Sequence, residues 1–80
     1  SYTTPFVQAR LRILIFSKEG EEVRTLVNAP LTGKQGEYIW DGKDNDGNAV
    51  AVGIYVVYLE AINNDDNDVY IAKTTCVIGN

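Results

Sequence analysis

The chain contains no histidine and a single cysteine, Cys76. Without an imidazole, neither a Ser-His-Asp nor a Cys-His nucleophilic centre can be assembled, because each needs that base beside its nucleophile. One cysteine cannot form an intrachain disulfide, so no covalent staple holds the fold and the redox compartment is left open. No apolar run approaches the ~18 residues of a membrane span, and no secretory leader is read, so membrane insertion is not expected. Basic charge is scarce in the second half. Residues 41–80 carry two basic and seven acidic groups, net −5, against five and four, net +1, over residues 1–40. A nucleic-acid binder needs a basic patch to displace counterions, and this acidic half argues against one. Arg10, Arg12 and Arg24 read as scattered surface arginines.

What is present is an ordinary globular composition, 45% hydrophobic and 22% charged over 80 residues. That length holds one domain. Surface scaling predicts a folded area of about 4,800 Å² for this mass. At this size hydrophobic burial and chain entropy nearly cancel, so one exposed edge or missing strand matters.

Period-2 patterns alternate with turn signals throughout, and no helical periodicity is found. Residues 9–16 predict a strand with Leu11, Ile13 and Ile15 on one face and Arg10 and Arg12 on the other. Leu14 and Phe16 interrupt the polar face, so its far end is expected to be covered as well. Ser17-Lys18-Glu19-Gly20 supplies a turn, and residues 21–27 return as the second arm of a hairpin. Pro30 is expected to end that arm, since proline cannot donate to a central ladder. Residues 31–36 read as a loop or short edge piece. Residues 37–41 predict a third strand with Tyr38 and Trp40 on one face. A long turn follows over 42–53, then the strongest strand signal, 54–62, with Tyr55, Val57, Leu59 and Ala61 on one face. A polar loop over 63–68 leads into the last strand, 69–78, and residues 2–6 offer part of a further one. Short strands at regular spacing with such turns indicate an antiparallel β-sandwich.

Cys76 belongs to the uncharged alternate set 70, 72, 74, 76 and 78, and is expected to be a small core hydrophobe. Asp41-Gly42-Lys43-Asp44-Asn45-Asp46-Gly47-Asn48 invites comparison with a calcium loop. With Gly47 at the glycine position of an EF-hand, Gly42 and Gly53 fall where side-chain oxygens are required, so that match fails at both ends. Asp41, Asp44 and Asp46 remain weak metal candidates of a different kind, beside the simpler reading that Asp and Asn bond their own backbone in a turn. Tyr58 and Phe16 are the only aromatics suggesting a sugar-stacking surface. No catalytic residue and no cofactor are expected.

Residues 13–26, Ile-Leu-Ile-Phe-Ser-Lys-Glu-Gly-Glu-Glu-Val-Arg-Thr-Leu, together with Trp-Asp-Gly-Lys-Asp-Asn-Asp-Gly at 40–47 and Gly53-Ile54-Tyr55, resemble the FlgD-like immunoglobulin-like domain. The resemblance runs over about residues 9–78. It implies an immunoglobulin-like sandwich with Trp40 as core anchor, Asp41 and Gly42 opening the long turn, Gly47 and Gly53 permitting its bends, and Tyr55 re-entering the core. Modules of this family often carry more chain ahead of the first hairpin, including a strand. Only residues 1–8 precede it here, so a sandwich short of its first strand is expected. The ending Lys73-Thr74-Thr75-Cys76-Val77-Ile78 is similar to modules at the C-terminal end of large exported Bacteroidetes proteins, some linked to type IX secretion.

The resemblance therefore implies a non-catalytic structural or interaction module of a secreted or cell-surface protein. Residues 1–80 would be one module, a fragment or C-terminal portion of a larger exported chain. Its expected partners are its own upstream domains or neighbouring subunits, joined by edge-strand pairing, with neither nucleic acid nor membrane. The alternatives are a calcium- or carbohydrate-binding accessory module, or a subunit of an extracellular filament or hook-cap-like assembly.

Overall fold

A computed structural model describes residues 2–33, 35–36 and 38–79. Among these residues six strands run in order: β1 (Tyr2–Thr3), β2 (Ala9–Ser17), β3 (Glu22–Thr32), β4 (Gln35–Gly36), β5 (Gly53–Asn63) and β6 (Val69–Ile78). No helix occurs among the described residues. β1 pairs with β4 in a two-stranded antiparallel sheet, and the other four form an antiparallel sheet in the order β3-β2-β5-β6. Two antiparallel sheets make an immunoglobulin-like β-sandwich, the expected fold class.

The larger sheet carries the core on one face. Strict alternation puts Ala9, Leu11, Ile13 and Ile15 of β2 opposite Asn63, Ala61, Leu59 and Val57 of β5. Ala9, Leu11 and Ala61 have no exposed surface. Tyr2 and Phe6 pack onto this cluster from the first segment, where Phe6 N–H donates to the Thr4 hydroxyl at 3.3 Å. The tie lets Thr4 be buried without an orphaned polar atom.

Three expectations are corrected. Pro30 does not end β3; the strand continues to Thr32. β3 is an edge strand paired only with β2, and between the Arg10↔Leu31 and Arg12↔Asn28 pairs it carries two residues opposite one. Pro30 lies in that bulge, where no ladder bond is demanded of it. Second, residues 38–41 form no strand, while Glu37 lies outside the described residues. The short strand in this region is Gln35–Gly36, and Tyr38 instead stacks on Tyr2 with ring centroids 5.8 Å apart. Third, Cys76 is half-buried rather than enclosed, because β6 is the other edge. Partial burial raises the Cys76 pKa, so the protonated thiol is favoured over the reactive thiolate.

The first described segment is paired. Tyr2–Thr3 is a two-residue strand against Gln35–Gly36, and the Tyr2 ring crosses Gly36 so closely that a Cβ there would meet the phenol oxygen at 2.6 Å. This thin second sheet covers the inner face incompletely. A cleft of about 620 Å³, lined by Ile13, Leu26, Tyr38, Trp40, Val57 and Tyr70 among others, opens between the layers.

Candidate functional site

The long turn is built by its own side chains. Gly42 and Gly47 sit at φ +76° and +86°, a left-handed conformation that costs an L-residue roughly 1–2 kcal/mol. Between them, the Asp44 Oδ1 accepts from the Asp46 N–H at 3.0 Å and the Asn48 N–H at 2.9 Å. Backbone bonds Asp44 N–H to Asn48 O at 2.8 Å and Val50 N–H to Gly42 O at 3.0 Å close the loop. Asp41 Oδ1 accepts from Lys43 N–H at 3.0 Å and from Arg24 Nη1 at 3.3 Å. Asp41 and Asp44 thus face different donors rather than a common centre. Among the described residues no group of three acidic or sulfur ligands is placed to hold a metal.

Gly53 begins β5, and two residues on, the Tyr55 hydroxyl donates to the Ala51 carbonyl at 2.6 Å. A tyrosine bonding back to backbone just upstream is the tyrosine corner of immunoglobulin-like sandwiches. Trp40 meets the Tyr55 ring edge-on at 5.3 Å and its indole N–H donates to Lys43 O at 2.9 Å. Trp40 is half-buried there, bridging the turn to the start of β5.

The turn does a second thing that its composition does not announce: it laps onto β3. Thr25 N–H donates to Asn45 Oδ1 at 2.9 Å, and Asn45 N–H donates to Val23 O at 3.1 Å. Arg24 Nη1 also donates to Lys43 O at 3.0 Å and Asp44 O at 3.3 Å. The Arg24–Asp41 ion pair, with the carboxylate half exposed, contributes about 0–1 kcal/mol. Its carbonyl contacts give Arg24 the further role of pinning the loop. β3 carries three register shifts against β2, so its edge is bulged, holds Pro30 and is covered by the turn. These are the devices by which sheet edges are closed to foreign strands.

The opposite edge has none of them. β6 pairs with β5 in unbroken register from Ile62↔Val69 to Gly53↔Ile78. It contains no proline and one charge, Lys73. Its outward side chains Val69, Ile71 and Val77 are 50%, 50% and 73% exposed. Elsewhere on the outer face, Arg12 donates to Glu60 at 3.2 Å, as does the Tyr58 hydroxyl, while Arg10 reaches Asn67. The three arginines therefore serve separate acceptors. Phe16 and Tyr58 meet at an interplanar angle of 88°, which is no flat stacking platform.

The two-sheet topology, the tyrosine corner and the aspartate-built turn define an immunoglobulin-like module. The FlgD Ig-like domain family model matches residues 3–65, so the chain belongs to that family, a structural one named for a flagellar hook protein. The match takes in β2 to β5 and ends before β6. No curated protein and no solved structure matches the chain.

Because the Asp44 carboxylate holds two N–H groups, Asp44→Ala is expected to cost about 1–2 kcal/mol, the range of a lost capping oxygen. Asp44→Asn keeps an acceptor oxygen and should cost under ~1 kcal/mol. Urea melts of both variants check this; a cost for Asp44→Ala as small as that for Asp44→Asn would show that the two bonds carry no weight.

Proposed function

We propose that this chain is a non-catalytic structural module of a secreted or cell-surface bacterial protein, working through protein–protein contact. In this reading residues 1–80 form one module of a longer exported chain, acting as a spacer, adhesion or secretion-linked C-terminal element. The type IX route is the one suggested by the 73–78 ending. The observation that carries the reading is the asymmetry of the large sheet, with one edge bulged and covered and the other straight and open. A sheet edge with free main-chain groups accepts an added strand, taking affinity from the backbone and specificity from alternate side chains. Membership of the FlgD Ig-like family supports a structural role.

The calcium alternative gains little from the acidic turn, where Asp41 Oδ1 and Asp44 Oδ1 already accept backbone and arginine donors. A melting temperature unmoved by millimolar calcium is the expected result. An ion bound only to the native state would raise it. The location is tested by labelling intact and lysed cells of the source bacterium with antibody against residues 1–80. Signal on intact cells or in the medium is expected; signal only after lysis would overturn the assignment.

A further inference from the structure

The open edge of β6 has a defined hydrogen-bonding phase. Asn63 N–H donates to Asp68 O at 2.7 Å, which makes 63 and 68 a hydrogen-bonded pair in the β5–β6 ladder. Bonded and unbonded pairs alternate along an antiparallel ladder. Tyr70, Ala72, Thr74, Cys76 and Ile78 therefore spend their main-chain groups on β5. Those of Val69, Ile71, Lys73, Thr75 and Val77 point away from the sheet, and the same residues carry the outward side chains.

From this we infer that β6 is a self-association site, at which a second copy of the chain pairs antiparallel across a two-fold axis through Thr74. The inference rests on the reading of the chain as a contact module and names its partner. Three observations select a second copy in this register. Copies cannot add head to tail, because the only other long edge, β3, is bulged and lapped by the 41–48 turn. They can meet only β6 to β6, which is an isologous and closed arrangement.

Phase is the second constraint: outward-pointing residues must face outward-pointing residues, so the axis must move in whole-residue steps along the strand. An axis at Lys73 sets the strand's one charge against itself, and like charges directly opposite are destabilising. An axis at Thr75 faces Ile71 with Gly79 and Lys73 with Val77. Moving it to Ala72 leaves Val77 unpaired. The axis at Thr74 faces Ile71 with Val77 of the second copy, twice by symmetry, and Lys73 with Thr75.

The third observation is what this register covers. Ile71 and Val77, half and three-quarters exposed in one copy, are brought side by side. On the inner face Tyr70 meets Ile78 and Ala72 meets Cys76 of the second copy. The apolar lining of the cleft, to which Tyr70, Ala72, Cys76 and Ile78 belong, then continues from one sheet into the next.

The test is sedimentation equilibrium of the 80-residue chain from micromolar to millimolar concentration, paired with cross-linking. A monomer–dimer equilibrium is expected. Ile71→Lys, at an exposed position, should weaken it about tenfold or more, since two apolar cross-strand pairs are lost, while leaving the melting temperature of the dilute monomer unchanged. In a Cys76→Ala background, Thr74→Cys should form a disulfide-linked dimer on mild oxidation. An unbonded antiparallel pair holds its Cα atoms about 4.5 Å apart, inside the ~4.4–6.8 Å span of a disulfide. Thr75→Cys in the same background, facing Lys73 of the second copy, should link far more slowly. A chain that stays monomeric at every concentration overturns the inference, as does Thr75→Cys linking as fast as Thr74→Cys. A monomer would leave the surface-module reading to the antibody experiment, and failure of that experiment would leave the sedimentation result standing.

Discussion

Leu11→Ala should be the most damaging single substitution tested in this protein. Leu11 is fully buried in the first half of β2, paired with Ala61 and inside the cluster of Ile13, Val27 and Leu59. Truncation removes the transfer energy of its side chain and leaves a cavity that two flanking strands cannot collapse, a cost of about 2–5 kcal/mol. A chain of this length has about 4–12 kcal/mol to lose. The denaturation midpoint in urea should fall steeply while the slope of the transition stays the same. A cost under ~1 kcal/mol would mean that the inner face of the large sheet is not the core.

Trp40→Ala should come next, at about 2–4 kcal/mol, the lower part of the range for emptying an aromatic site because the ring is half-buried. Two separable contributions make up the loss, the edge-on contact with Tyr55 and the indole bond to Lys43 O. Trp40→Phe keeps the first and removes the second. It should therefore cost about 1 kcal/mol, the net worth of one hydrogen bond. If the phenylalanine variant were as unstable as the alanine variant, the bond to the turn would outweigh the ring contact. Cooperative melts of the three proteins decide it.

Local alternation made most of the large sheet legible. The expected bounds 69–78 match β6 as observed, and 54–62 lies within one residue of β5, because long runs of β-branched and aromatic residues bracketed by Asn, Asp and Gly leave little choice of structure. The acidic turn was readable for the same reason. What local pattern could not supply were features fixed by distant partners. Residues 38–41 have strand-like alternation, but Tyr38 finds Tyr2 and Trp40 finds Tyr55, and these tertiary contacts outrank the local preference. Pro30 held an unread signal: a proline inside a β-branched run marks an edge strand as readily as a strand end. The lapping of Asn45 onto β3, and the reach of Arg24 from β3 back to the turn, left no mark in composition, since a turn asparagine or a strand arginine is equally at home facing solvent.

The account turns on the difference between the two edges of one sheet, and amide hydrogen exchange followed by NMR reads it directly. In dilute solution the account predicts slow exchange for Tyr70, Ala72, Thr74 and Cys76, whose amides bond to β5. It predicts fast exchange for Ile71, Lys73, Thr75 and Val77, and protection of Thr25, whose amide is held by Asn45 on the covered edge. Raising the protein concentration should then slow the fast β6 set alone. Uniform protection along β6 at low concentration, or a Thr25 amide that exchanges as freely as Thr75, would contradict it.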